Sequence, residues 1–267
     1  MPPLAEQKRI VQIIDFLFEK LNLAQERLKG VLNALALHKI YLLKNAFEGV
    51  LTANFRAYSG ISKNDWQEKT LGEICKLFTG NSINEKVKQE KYFGKADGLI
   101  YIATKDVGFD TKINYDTNIK IPETDGFKIA PANTALLCIE GGSAGKKVGF
   151  TNQPVCFVNK LCAFVANGIN SKLIFYFLQS QNFMNQFNSK KHGLIGGVSI
   201  KNLAEIKIPV PPLVEQKEIA RQLDSFISKE NFAQDSAEKT LQHIDALKKN
   251  ILVRAFRGEL VNNNLEN

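Results

Sequence analysis

Apolar residues recur every three or four positions along two stretches of this chain, one near each end. This period places apolar side chains on one stripe of a helix, and over several heptads it is typical of a coiled-coil seam. His38 interrupts the first stripe and Glu230 and Thr240 the second; a single seam histidine is typical of a packed or register-setting residue. The predicted seam positions are Ile10, Ile14, Leu17, Leu21, Leu28, Val31, Leu35 and Leu42, and then Ile219, Leu223, Phe226, Ile244, Leu247 and Ile251.

The two stretches are copies of one unit. "PPLAEQKRI" at residues 2–10 returns as "PPLVEQKEI" at residues 211–219, and the match continues without a gap to residues 51 and 260. A proline pair suits the first turn of a helix, and Gly49 and Gly258 each supply a stop. Each copy therefore predicts a helix of roughly 40 residues, about 60 Å long. Because one segment joins the end of the first helix to the start of the second, we expect them to run antiparallel.

Between the copies, short apolar runs bounded by turn residues indicate strands. One helix is predicted near residues 172–188. The fold class is therefore α+β: a globular mixed domain at residues 59–209, with a long helix at residues 1–58 and another at 210–267 that form an antiparallel coiled coil. The predicted strands lie at residues 99–102, 134–139, 147–150, 155–158 and 206–210.

Composition narrows the class of protein. No run of 18 apolar residues exists and the N-terminus lacks a signal-peptide pattern, so we predict a cytoplasmic chain without a membrane partner. The four cysteines lack CxxC spacing and the three histidines are scattered, which disfavours a zinc site and favours free thiols.

The positive charge is concentrated in the middle of the chain. Residues 61–209 contain 19 lysines, no arginine and 13 acidic residues, and the whole chain has a net charge of +8. Such a segment favours a polyanion partner, although an ordinary surface in a lysine-rich protein fits the charge equally well. Without arginine, the strongest bidentate contact to guanine is missing. For a DNA partner, a recognised sequence rich in A·T pairs, or guanine contact by lysine, is one hypothesis; codon bias in an A·T-rich genome is the other.

Three short motifs resemble catalytic signatures but lack required residues. Glu140–Lys147 lacks the first glycine and the Ser/Thr of a P-loop. Asn152–Val155 lacks the second proline and the aromatic residue of an amino-methyltransferase, and no glycine-rich turn for S-adenosylmethionine follows a strand. Glu205–Lys207 lacks the second carboxylate of a nuclease magnesium site. The sequence therefore predicts no catalytic residue, metal or cofactor in this chain.

Lysine-rich turns are the candidates for DNA contact. Lysines there favour phosphate contact, which positions a protein without specifying sequence, and Gly196 and Gly197 permit close backbone approach. A solvated hairpin tip is the alternative for the turn at residues 140–147. The candidates are Lys105, Ser143, Lys146, Lys147, Lys190, Lys191 and His192.

Several stretches resemble the specificity subunit of type I restriction-modification enzymes. Their order and spacing carry the resemblance over nearly the whole chain. They are "WQEKTLGEICKLFTG" at residues 66–80, "IYIATKDV" at 100–107, "LLCIEGGSAGKKVGFTNQPVCFVNKLCAF" at 136–164 and "GVSIKNLAEIKIPVPPLVEQKEIARQLD" at 197–224.

The resemblance implies a non-catalytic subunit whose recognition domain reads half of a split site in double-stranded DNA. It also implies methyltransferase subunits that carry S-adenosylmethionine, and restriction/translocase subunits, as partners. The family alternates recognition domain and helix twice, whereas this chain begins at the first helix. We therefore expect a truncated or rearranged subunit, or a homodimer or second half-subunit that supplies the other domain. The rival hypothesis is a coiled-coil protein–protein adaptor without DNA specificity.

Overall fold

The computed structural model describes residues 2–191 and 196–260, with a long helix at each end of the chain. None of the helices in these residues has the length and apolarity needed to cross a membrane. The helices are α1 (Leu4–Glu48), α2 (Ala53–Ser59), α3 (Leu71–Ile74), α4 (Glu85–Val87), α5 (Ser171–Phe177), α6 (Gln181–Ser189), α7 (Ile200–Ala204) and α8 (Leu213–Phe256). The strands are β1 (Gln67–Thr70), β2 (Cys75–Thr79), β3 (Leu99–Ile102), β4 (Lys120–Ile121), β5 (Ile129–Ala130), β6 (Ala135–Cys138), β7 (Val148–Phe150), β8 (Val155–Phe157), β9 (Leu161–Ala166) and β10 (Lys207–Val210).

Each long helix begins directly after its proline pair and ends within two residues of its closing glycine, as the repeat predicts. The first helix stops at Glu48, so residues 53–59 form the separate helix α2 rather than a continuation. The carbonyl of the second proline accepts the first helical N–H in each copy, from Gln7 in α1 and from Gln216 in α8, both at 3.0 Å. At the other end, Gly49 and Gly258 have φ angles of 80° and 74°. This left-handed conformation carries no Cβ penalty in glycine, so it ends the helix at little cost.

The chain forms two compact units. The first unit consists of the residues up to Lys39 together with those from Asp224 onward, and the second unit is Ile40–Leu223. In the first unit, His38 on α1 hydrogen-bonds to Glu230 on α8, and Gln25 donates to Asp245 at 2.7 Å. Lower numbers on α1 thus face higher numbers on α8, which confirms antiparallel pairing. Two of the three residues that interrupt the predicted seams, His38 and Glu230, thus contact each other.

Burial along the two helices follows the predicted seam with local shifts. Val31, Phe226 and Leu247 are 48%, 41% and 51% exposed, whereas Leu32 is half-buried and Ile227 is buried. A straight helix has 3.6 residues per turn, so the buried stripe drifts away from a strict seven-residue repeat. The complete seam assignment remains a prediction.

The second unit includes the C-terminal end of α1, the N-terminal end of α8 and the segment between them. Leu43, Ala46 and Phe47 near the end of α1 are buried, and so are Ile219 and Leu223 near the start of α8. The Phe47 ring meets that of Phe177 on α5 edge-on, with the centroids 5.3 Å apart. These turns of helix therefore help to build the core of the globular unit.

Two four-stranded sheets form the centre of this unit. The first has the order β2-β9-β6-β7 and is antiparallel, and the second has the order β4-β3-β8-β5 with β3 and β8 parallel. The two sheets share a core that includes Ile102 and Phe157 of the second sheet and Leu136 and Leu161 of the first. Strands β1 and β10 form a separate antiparallel pair. The five predicted strands are confirmed. Strands β6 and β8 are buried along their whole length, as expected of continuous apolar runs, whereas β10 alternates between exposed and buried positions.

The prediction of a single helix near residues 172–188 is wrong in one respect. This segment forms two helices, α5 and α6, separated at Ser180. Ser180 has an extended backbone, and its hydroxyl accepts the N–H of Phe183 at 3.2 Å, which caps a new helix. The apolar period continues through the break, and so the pattern alone does not reveal it.

The second copy of the repeated motif begins α8 with a buried carboxylate, Glu215. Its Oε1 accepts hydrogen bonds from Thr52 Oγ1 and Arg56 Nη1, both at 2.6 Å, and its Oε2 accepts from Trp66 Nε1 at 2.8 Å. The Glu215 side chain is 0% exposed and that of Arg56 is 13% exposed. Burial lowers the pKa of the nearby Lys63, and the charge of Arg56 adds to that effect. This polar cluster ties the start of α8 to α2 and to the segment before β1.

Candidate nucleic-acid interface

The loop between β6 and β7 carries three of the predicted contact residues. It is a tight turn in which the Ser143 carbonyl accepts the N–H of Lys146 at 3.0 Å. Ser143 is half-buried and Lys146 is exposed. The Lys146 ammonium group is therefore exposed to solvent on the turn that connects the paired strands β6 and β7.

Lys147 connects this loop to the turn that carries Lys105. Its Nζ donates to the carbonyl oxygen of Thr104 at 3.1 Å and lies 5.0 Å from the centroid of the Phe109 ring. Lys105, the next residue after Thr104, is exposed. Lys147 thus has a structural role in joining two turns, while Lys105 and Lys146 remain available at the surface.

The same loop packs on α6, near the second group of predicted residues. A Cβ on Gly145 would lie 2.8 Å from Cε1 of Phe187, so only glycine fits there without displacing the ring. Lys191 lies over that ring, with its Nζ 5.4 Å from the centroid. Lys190 is committed elsewhere, because its Nζ bonds to Glu205 Oε2 at 2.8 Å and this hydrogen bond lowers the pKa of Glu205. His192 lies outside the described residues.

Lys160 joins this group, although sequence reasoning missed it. It is exposed in the turn between β8 and β9, and its carbonyl accepts the N–H of Ile139 at 3.0 Å. Burial raises the pKa of the Cys138 thiol, and the positive charges of Lys147 and Lys160 oppose that rise. The sequence signal for Lys160 is a lysine in a turn beside buried strands, as at Lys146. We call Lys105, Lys146, Lys147, Lys160 and Lys191 the lysine-loop cluster.

The residues of the incomplete nuclease motif take part in ion pairs. Glu205 pairs with Lys190 as above, and Lys207 Nζ lies 2.7 Å from Glu68 Oε1. In residues 2–191 and 196–260, no group of three His, Cys, Asp or Glu side chains could hold a metal ion.

Known proteins share both the sequence pattern and the fold. The family model described as the type I restriction modification DNA specificity domain matches residues 63–239. The chain is 23% identical over 280 residues to the EcoDI specificity subunit of Escherichia coli, with 97% of this chain and 62% of that one covered. It is 26% identical over 279 residues to the StySPI specificity subunit of Salmonella potsdam, with 97% and 57% covered. The chain thus spans about three fifths of the length of these relatives.

Solved structures show the same fold. A chain from a structural study of complex assembly and conformational transition in the type I R-M system matches with a TM-score of 0.70 at 21% identity. That match covers 97% of this chain and 61% of the other. The HsdS subunit from Thermoanaerobacter tengcongensis matches with a TM-score of 0.57 at 22% identity, over 97% of this chain and 60% of that one. The mixed α/β architecture with long helices, predicted from the sequence, is confirmed by this likeness.

Proposed function

Because this chain belongs to the type I restriction modification DNA specificity family, we propose that it recognises double-stranded DNA and gives a restriction-modification complex its sequence selectivity. The recognition domain is residues 59–209, which reads one half of a split site. Residues 1–58 and 210–267 are the helical spacers that pair along the predicted seam. The chain makes and breaks no bond itself, and selectivity is a difference in binding free energy between DNA sequences.

The observation that carries this proposal is the convergence of lysines from separate loops. The Lys147 side chain joins the β6–β7 loop to the turn at Thr104, and the same loop packs through Gly145 on Phe187 of α6. The N–H of Ile139, just after β6, donates to the carbonyl of Lys160 in the next turn. A duplex presents a regular array of phosphates, so exposed ammonium groups from neighbouring loops can contact several of them at once. Lys105, Lys146 and Lys160 are the exposed members that we assign to phosphate contact.

Other subunits are the proposed partners of this chain. We propose that methyltransferase subunits, with S-adenosylmethionine bound to them, dock on it, followed by restriction/translocase subunits. Reading of both halves of a split site requires a second recognition domain. A second copy of the chain would impose two-fold symmetry on the site, whereas a different half-subunit would not.

The lysine-loop cluster is tested by its effect on the salt dependence of binding. We expect Lys146→Gln to weaken binding to all duplexes and to reduce the slope of log K against log salt by about 1. The triple variant at Lys105, Lys146 and Lys160 should reduce it by about 3. Lys147 is left unchanged because its side chain joins two turns. Fluorescence anisotropy with a random-sequence duplex, over a range of salt concentrations, measures both values.

Lys76→Gln is the matched control. Lys76 is exposed on β2, which lies at the opposite edge of the first sheet from β7. Its replacement removes the same charge from the same domain and should leave the slope close to that of the wild type. Equal slopes for Lys146→Gln and the wild type would remove the cluster from the interface. Failure of the wild type to bind duplex DNA at low salt would favour the protein–protein adaptor instead.

A further inference from the structure

A small hairpin at residues 107–113 projects beside the lysine-loop cluster. Val107 and Ile113 pair as an isolated bridge, and the N–H of Gly108 donates to the carbonyl of Lys112 at 2.8 Å. Asp110 Oδ1 accepts the N–H of Lys112 at 3.2 Å, and Thr111 has a φ of 68°. These bonds brace the backbone at the tip of the hairpin.

The base of the hairpin is fixed in the core. Val107 is 0% exposed, and Ile113 packs against the core that the two sheets share. A Cβ on Gly149 of β7 would lie 2.6 Å from Cγ1 of Ile113, which shows how closely the hairpin approaches the strand. A tip held in this way loses little conformational freedom when it contacts a partner, so more of the contact energy remains as affinity.

The tip presents an aromatic ring to solvent. Phe109 is 68% exposed, and Lys147 Nζ lies 5.0 Å from its ring centroid. A single exposed aromatic residue is common on protein surfaces. Here the ring lies beside Lys147, whose side chain joins the turn before Lys105 to the loop that carries Lys146. A duplex bound by Lys105 and Lys146 would therefore come within reach of the ring.

We propose that Phe109 is a specificity-determining residue that contacts a thymine C5-methyl group in the major groove. This inference rests on the proposed function. The C5-methyl group is the apolar feature that distinguishes base pairs in that groove, and phenylalanine is one of the side chains that contact it. The domain has no arginine between residues 61 and 209 for bidentate guanine contact, so an apolar contact would carry part of the selectivity. Asp110 beside the ring pairs with Lys112 at 3.6 Å.

Deoxyuridine provides a direct probe, because it pairs as thymine does but lacks the methyl group. The full-length chain is first used to select a motif from a random duplex pool. Each thymine of the enriched motif is then replaced by deoxyuridine, one position at a time, and affinity is measured by anisotropy. For the wild type we expect a loss of roughly 3- to 10-fold at one position, the size of burial of one methyl group or slightly more.

The variants separate a base contact from a general effect. Phe109→Ala should bind the thymine duplex as weakly as the wild type binds the deoxyuridine duplex, and it should no longer distinguish the two. Its salt slope should be unchanged, because no phosphate contact is lost. Phe109→Leu keeps an apolar tip and should retain part of the difference. Tyr58→Ala is the matched control, since Tyr58 is 92% exposed on α2 and should retain the full difference.

The outcomes for the inference and for the proposed function differ. A wild type that selects no motif from the pool overturns the proposed function, and this inference with it. A wild type that selects a motif but tolerates deoxyuridine at every position overturns the inference alone. So does a folded Phe109→Ala variant that still distinguishes thymine from deoxyuridine, or one whose salt slope falls together with its affinity.

Discussion

Replacement of Glu215 by glutamine is expected to destabilise the protein strongly, although it changes only one oxygen to an NH₂ group. The carboxylate is fully buried and accepts three hydrogen bonds, from Thr52, Arg56 and Trp66. An amide offers one carbonyl oxygen in place of two carboxylate oxygens, and its NH₂ group cannot accept a bond. With the NH₂ group at the position of Oε2, it opposes the indole N–H of Trp66. In the other orientation, it opposes the guanidinium group of Arg56.

The magnitude follows from these contacts. Either orientation leaves a buried donor without an acceptor, which costs about 1–3 kcal/mol. The bond to Arg56 also loses its ionic character, and charge-assisted hydrogen bonds are roughly twice as strong as neutral ones. We therefore expect a loss of about 2–4 kcal/mol in the free energy of unfolding, comparable to the roughly 3–5 kcal/mol typical of a broken buried ion pair.

The internal repeat provides a matched control at Glu6, which occupies the same place in the first copy of the motif. Glu6 is only half-buried, and so Glu6→Gln should change the unfolding free energy by less than about 0.5 kcal/mol. Urea unfolding followed by circular dichroism measures both variants. The double variant Arg56→Met with Glu215→Gln should recover part of the loss, because the buried guanidinium group that the amide opposes is then gone. A Glu215→Gln variant as stable as the wild type, or a Glu6→Gln variant that loses as much, would refute the reasoning.

Two further expectations concern glycine packing and buried thiols. Gly80→Ala should lower the free energy of unfolding by about 3 kcal/mol or more, because the added Cβ would lie 1.8 Å from the carbonyl oxygen of Phe157. Gly142→Ala is the control, since a Cβ there would meet nothing within 4 Å. Equal thermal midpoints for the two variants would contradict this prediction. Burial raises the pKa of both Cys75 and Cys162 to about 12. The folded thiols keep protons that the unfolded thiols lose above their ordinary pKa, so stability should fall as pH rises beyond that value. A urea midpoint that is the same at neutral pH and at pH values well above the ordinary thiol pKa would contradict this effect.

Most of the helical architecture could be predicted from the sequence, because it depends on local and periodic signals. The proline pair, the heptad period and the closing glycine act within a few residues of where they stand, and each appears twice. Continuous apolar runs likewise predicted strands such as Ala135–Cys138, since a strand covered on both faces needs apolar side chains at every position. The family resemblance added the expected recognition role.

Only the tertiary structure decided which side chains meet. It brought His38 to Glu230, placed Lys147 against Thr104, and committed Lys190 to Glu205, and it added Lys160 to the predicted lysines. Glu6 and Glu215 stand in the same sequence motif, yet one is half-buried and the other is fully buried among three donors. Burial and hydrogen bonding depend on segments distant along the chain, and so the same residue in closely similar local sequences can have different physical roles.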